Sequence, residues 1–119
     1  LYASDIYPRH ENIAMQCVFE RPFHPEGLII TNPPWDRKIL HPFIEKVVAE
    51  DRVAWLLFDA DWCHTKQSIL FMPHIAEIVS IGRVKWIEGS KNTGKDNCAW
   101  YKIRRDAKQT IFHGRVCLR

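Results

Sequence analysis

The chain has 119 residues, enough for one modest domain and no more. Hydrophobic residues make up 46% of it and aromatic ones 12%, which supports a packed core and excludes a disordered chain. The net charge of +3 is compatible with a nucleic-acid partner without demanding one, and no run of about 18 apolar residues is present to form a transmembrane helix.

Leu1-Tyr2-Ala3-Ser4-Asp5 reads as the end of a strand that finishes on an acid, and Tyr7-Pro8-Arg9-His10 as a loop. Residues 13–19 fit a short strand or a helical turn equally well. Glu20 to Glu26 carries Pro22 and Pro25 and is loop. Leu28-Ile29-Ile30 is a short unbroken apolar run that stops against prolines, the pattern of a buried parallel strand ending at Thr31 or Asn32. A helix is expected from Leu40 to Glu50, with Pro42 in its first turn and Phe43, Ile44, Val47 and Val48 on one stripe. Val53 to Phe58 is a second buried strand, and Asp59-Ala60-Asp61-Trp62 ends it, with Asp59 and Asp61 placed to face substrate or cap the next helix, and capping or solvation the simpler reading for Asp61. Lys66 to Phe71 reads as a short helix stopped before Pro73. Glu77 to Ile87 and Asn97 to Ile103 form a β-hairpin across a polar loop, Glu88 to Asp96, whose tip carries Lys91 and Lys95. That loop lacks the full pattern of a phosphate-binding loop. Thr110 to Leu118 is a last short strand or an ordered tail.

The four cysteines, Cys17, Cys63, Cys98 and Cys117, lack metal-ligand spacing, so no metal site is expected and free thiols in a cytoplasmic protein are the simpler reading. No signal peptide is visible. The chain opens on Leu1 in what reads as the middle of a fold, so residues 1–119 are expected to be a single, truncated domain.

The stretch with the most chemistry in it is Thr31-Asn32-Pro33-Pro34-Trp35. In open α/β sheets ligands bind at the carboxyl ends of the strands, where this stiff loop stands. A conjugated amino nitrogen is a poor nucleophile. Two acceptors aimed at its two N–H bonds draw it toward tetrahedral geometry. Asn32 offers a side-chain oxygen, and the carbonyl of Pro33 is a second acceptor held by the fixed φ of proline. Trp35 offers a flat face for a base, and stacking of that kind is worth roughly 1–3 kcal/mol.

Asn32-Pro33-Pro34-Trp35 after Leu28-Ile29-Ile30 resembles the catalytic motif of class I S-adenosylmethionine-dependent amino-methyltransferases. It is most like the small N6-adenine DNA methyltransferases, many of them in phages and prophages. The resemblance implies an α/β fold: a partial Rossmann-like methyltransferase sheet, its first strand missing, closed by a C-terminal antiparallel β-hairpin. It implies that Asn32, Pro33, Pro34 and Trp35 form the catalytic turn, with S-adenosylmethionine as cofactor. Asp5 would hold the cofactor ribose, Ile6 would lie beside its adenine ring, and Asn32 would border it. The substrate is then double-stranded DNA with its target adenine flipped out of the stack. Trp35, Arg37, Lys38, Trp62, Lys91 and Lys95 are the expected contacts to base and phosphate, with core packing the equal alternative for Trp62, and no membrane is involved. The motif also serves RNA and protein glutamine methyltransferases, and a non-catalytic nucleic-acid- or partner-binding remnant would retain it. The family's glycine-rich cofactor turn has no counterpart in this sequence, so the likeness covers residues 3–103 and the catalytic half of the fold. Without the first strand, either residues 1–26 are expected to pack loosely apart from a four-strand unit over 27–104, or the Asp5 strand is expected to shift and pair directly with the Asn32 strand.

Overall fold

The computed structural model of the chain describes residues 4–5, 14–15, 19–84 and 96–116, the first two pairs by backbone only. Seven strands and one α-helix are described: β1 (Ser4–Asp5), β2 (Ala14–Met15), β3 (Ile29–Thr31), α1 (Arg37–Ala49), β4 (Ala54–Asp59), β5 (Ile75–Arg83), β6 (Asn97–Ile103) and β7 (Ile111–His113). Three short 3-10 turns, Ala60–His64, Lys66–Leu70 and Met72–His74, fill the span between β4 and β5.

The main sheet has the order β3-β4-β6-β5-β7. β3 and β4 run parallel and are joined by α1, a βαβ crossover. β6 inserts between β4 and β5 and is antiparallel to both. β7 adds a parallel edge beside β5. The fold is therefore a mixed α/β sheet with one described α-helix, and the expected hairpin of β5 and β6 is present. β1 and β2 form a separate parallel pair, Ser4 opposite Ala14 and Asp5 opposite Met15. The Asp5 strand pairs with β2 and not with β3, but residues 1–26 do not as a whole stand apart: Phe23 packs on Phe43 and its amide donates to Glu50. β7 adds a fifth strand to the four described over 27–104.

α1 starts on Asp36, whose carboxylate accepts from the Lys38 amide at 3.0 Å. Leu40, Phe43, Ile44 and Val47 recur at helical spacing and are buried. They pack on Ala54, Leu56, Phe58, Tyr101, Ile103 and Ile75 from the facing side of the sheet. The helix begins three residues earlier than the sequence pattern suggested, so Pro42 lies in the second turn. The bond that its missing N–H would have made is lost without ending the helix. At the other end Asp51 takes a left-handed φ of 53°. Its amide reaches the Val48 carbonyl and the Arg52 amide reaches the Val47 carbonyl, both at 3.0 Å, a Schellman closure.

Two further expectations are corrected, and one alternative is decided. β3 is parallel as expected but is an edge strand among the described residues, with Ile30 61% exposed. A three-residue apolar run has the same composition at an edge as in a sheet centre, so its pattern could not distinguish them. The helix expected at Lys66 to Phe71 is a 3-10 turn, because Pro73 allows no room for a longer one. Of the roles open to the two acids, Asp59 caps the turn that follows β4, accepting from the Asp61 amide at 3.0 Å, and Asp61 is exposed.

Candidate active site

The Asn32-Pro33-Pro34-Trp35 turn leaves the carboxyl end of β3, beside the carboxyl end of β4. Pro33 is buried, Asn32 and Pro34 are exposed, and Trp35 is half-buried and packs against the core. Two apolar anchors thus hold a loop whose amide side chain faces water. The Trp35 indole N–H is shared between two acceptors: Oδ1 of Asn32 at 3.1 Å and the backbone carbonyl of Leu57, in β4, at 3.3 Å. The loop is therefore tied sideways to the neighbouring strand and also to its own asparagine.

An indole N–H can only donate, so the Asn32 atom that faces it is the oxygen. An amide oxygen carries two lone pairs, and one remains for a ligand donor.

Behind the turn, the Arg37 guanidinium donates to the Trp35 carbonyl at 3.5 Å and lies 3.9 Å from the Asp59 carboxylate. Arg37 is thus a brace between the turn and the end of β4, where the sequence suggested a phosphate contact. Lys38 is exposed on the first turn of α1. Trp62 is fully buried, edge-on to Phe58 and Tyr101, and its N–H donates to His41 Nε2 at 3.0 Å. It offers no face to a base, which removes it from the expected pocket wall. The large, flat, apolar ring that suited it for stacking suits it equally for the core.

Tyr101 supports the floor of this edge. Its hydroxyl donates to the carbonyls of Asp59 and Ala60 at 2.8 and 3.1 Å, and its ring stacks on Phe58 at 4.1 Å. Burial, with Cys63 nearby, pushes its ionisation far above the ordinary tyrosine range, so it stays a neutral donor. Burial first, then the Asp59 and Asp96 carboxylates, raise the Cys98 thiol, which leaves it inert.

Sequence reasoning missed two contacts of the site. The Leu57 carbonyl carries no residue signature and could not have been found. Asp59 was legible as an acid at this sheet edge, but its pairing with Arg37 was not, since that depends on β3 and β4 being neighbours.

No family model matches the chain, and no match was found among curated proteins or solved structures.

The expected cofactor contacts fall on different elements. Asn32 follows β3 of the main sheet, and the backbone of Asp5 belongs to the β1–β2 pair. Ile6 lies outside the described residues, as do Lys91 and Lys95. Asn32 is thus the one expected cofactor contact whose side chain is among the described residues. No group of three or more His, Cys, Asp or Glu among the described residues is arranged to hold a metal ion. No described helix is long and apolar enough to cross a membrane.

Proposed function

We propose that this chain carries the acceptor side of an amino-methyltransferase whose substrate is the exocyclic N6 of adenine in DNA. The observation that supports this best is the Asn32 amide: exposed at the carboxyl end of a parallel strand, oxygen-oriented by an obligate donor, in an Asn-Pro-Pro-aromatic turn. An acceptor in that state suits an amino group with two N–H bonds to give. The carbonyl of Pro33, on a backbone fixed by two prolines, is the second acceptor in this reading. Together they would pull the nitrogen toward tetrahedral geometry and free its lone pair. This is catalysis by positioning, the term that dominates when two reactants need only be aligned.

The resemblance to class I enzymes agrees with the parallel β3–β4 pair and with the antiparallel β6 that closes the sheet beside it. In that fold a further strand would lie against β3, which is an edge here among the described residues. S-adenosylmethionine supplies the electrophilic methyl group in this reading. All of the chain's contacts named above lie on the acceptor side.

The test is methyl incorporation from labelled S-adenosylmethionine into double-stranded DNA, RNA and protein by the natural full-length protein. Incorporation at adenine N6 of DNA is expected, and Asn32→Ala should abolish it while leaving donor affinity within a few-fold. Turnover near normal in Asn32→Ala would refute the role of the asparagine. Labelling of RNA or protein alone would move the same chemistry to another substrate.

A further inference from the structure

An aromatic ring that only stacked on a base would need a flat face and nothing else. Trp35 does something more: its N–H occupies one acceptor position of Asn32 Oδ1 and, at the same time, reaches the Leu57 carbonyl of β4. We infer that Trp35 is the positioning residue of Asn32, its indole N–H selecting the one amide orientation that presents oxygen to the substrate amino group. This rests on the amino-methyltransferase reading.

The physical argument concerns the two ends of the amide. A side-chain amide has an acceptor end and a donor end of nearly the same size, and a solvent-exposed asparagine exchanges them by rotating about its terminal torsion. Asn32 is exposed, so burial does not choose between the two. If the NH2 end faced an amino substrate, donor would meet donor. The Trp35 N–H removes that alternative, because in the flipped rotamer two donors would face each other at the present 3.1 Å separation. The bond to Leu57 has a separate consequence. It fixes the ring to β4, so the selecting N–H is held in place by the sheet and does not follow the asparagine as it moves. Packing of Trp35 against the core and the Arg37 bond to its carbonyl restrain the same residue from two further directions.

A phenylalanine at this position would keep a flat ring but neither hydrogen bond. Trp35→Phe is therefore expected to damage turnover, and the damage should come from the lost N–H.

The experiment separates N–H from ring. β-(3-Benzothienyl)alanine in place of Trp35 keeps the bicyclic shape and replaces N–H by sulfur. Losing the N–H that orients Asn32, and with it the shared bond to Leu57, should lower kcat about three- to tenfold. KM for DNA should change less than about twofold, because the stacking surface is intact. Wild-type kcat in the analogue would overturn the inference, since a ring of purely structural or stacking role would not notice the exchange. A second readout needs no activity. The Trp35 indole N–H resonance, assigned by its loss in Trp35→Phe, should move upfield and exchange faster with solvent in Asn32→Ala. It should stay downfield in Asn32→Asp, which retains an acceptor oxygen. An unmoved resonance in Asn32→Ala would overturn the inference whatever the kinetics show. Failure of the unsubstituted full-length protein to methylate any amino group would instead overturn the proposed function, while the resonance would still decide the Asn32–Trp35 bond.

Discussion

Two buried aromatic side chains with polar atoms show what single residues contribute beside the turn. Tyr101 is wholly buried and its one proton serves two carbonyls, those of Asp59 and Ala60. Tyr101→Phe keeps the stack on Phe58 and leaves those acceptors short of a donor, so a loss of about 1–2 kcal/mol is expected in urea unfolding. An unchanged midpoint would mean that water replaces the hydroxyl. Trp62 is the second case. Its indole N–H needs a lone pair on His41 Nε2, so His41 is neutral with its proton on Nδ1. Burial, then the Arg37 charge, hold the His41 pKa below its usual value, with Glu45 opposing. Between the lowered folded value and the ordinary unfolded one, the unfolded chain binds the proton and the fold does not. Stability from this group is therefore complete above the unfolded pKa and is lost as pH falls from there through the folded pKa. His41→Gln retains an acceptor for Trp62 and cannot titrate. Its unfolding midpoint should fall less than that of the unsubstituted chain between pH 7.5 and 5.5, and equal slopes would remove His41 as the cause.

Elements depend on how their ends are closed, and here the sequence was only partly legible. The apolar stripe of α1 is plain at Phe43, Ile44 and Val47, and a helix followed from it. Its start was missed because Arg37 and Lys38 are polar and belong to the helix only through the Asp36 cap. Its stop rests on Asp51 at a φ of 53°, where the sequence has none of the glycine that usually marks such a position. Asp51→Gly should relieve the left-handed strain and stabilise the chain by up to about 1 kcal/mol. The loss of the exposed Arg105 pair at 3.7 Å works against this, and such surface pairs contribute about 0–1 kcal/mol. A lower melting temperature in Asp51→Gly would show that the pair outweighs the strain. In the same way the Asn-Pro-Pro-Trp turn was legible as a loop at a strand end, since two prolines stop any central strand. Its tie to Leu57 was not, because that bond exists only once β3 and β4 lie side by side.

At the scale of the molecule, the five-stranded sheet has two unlike faces. α1 covers one, over Ala54, Leu56, Phe58, Tyr101 and Ile103. Strand alternation then puts Trp55, Leu57, Trp100 and Val79 on the other, in register with Ile30 of the edge strand. Ile30, Trp55, Val79 and Trp100 line a shallow groove of about 250 Å³ there. Its border is polar: Lys102 lies 3.3 Å from Glu77, and His113 lies 2.9 Å from the same carboxylate. This asymmetry was not legible in the sequence, because Val53 to Phe58 is apolar at every position and reads as buried on both sides. An apolar groove open to water should bind a hydrophobic reporter dye such as anilinonaphthalene sulfonate in the native state. Ile30 is 61% exposed and sits on an edge strand, so Ile30→Lys removes little buried area and blunts the edge with a charge. Dye fluorescence should fall in that variant, with stability unchanged to within about 0.5 kcal/mol. Leu56→Lys, one face over and fully buried, should unfold the chain instead. Were the unsubstituted chain not to enhance the dye, or were Ile30→Lys to melt as Leu56→Lys does, the groove would be covered in solution by some other part of the protein.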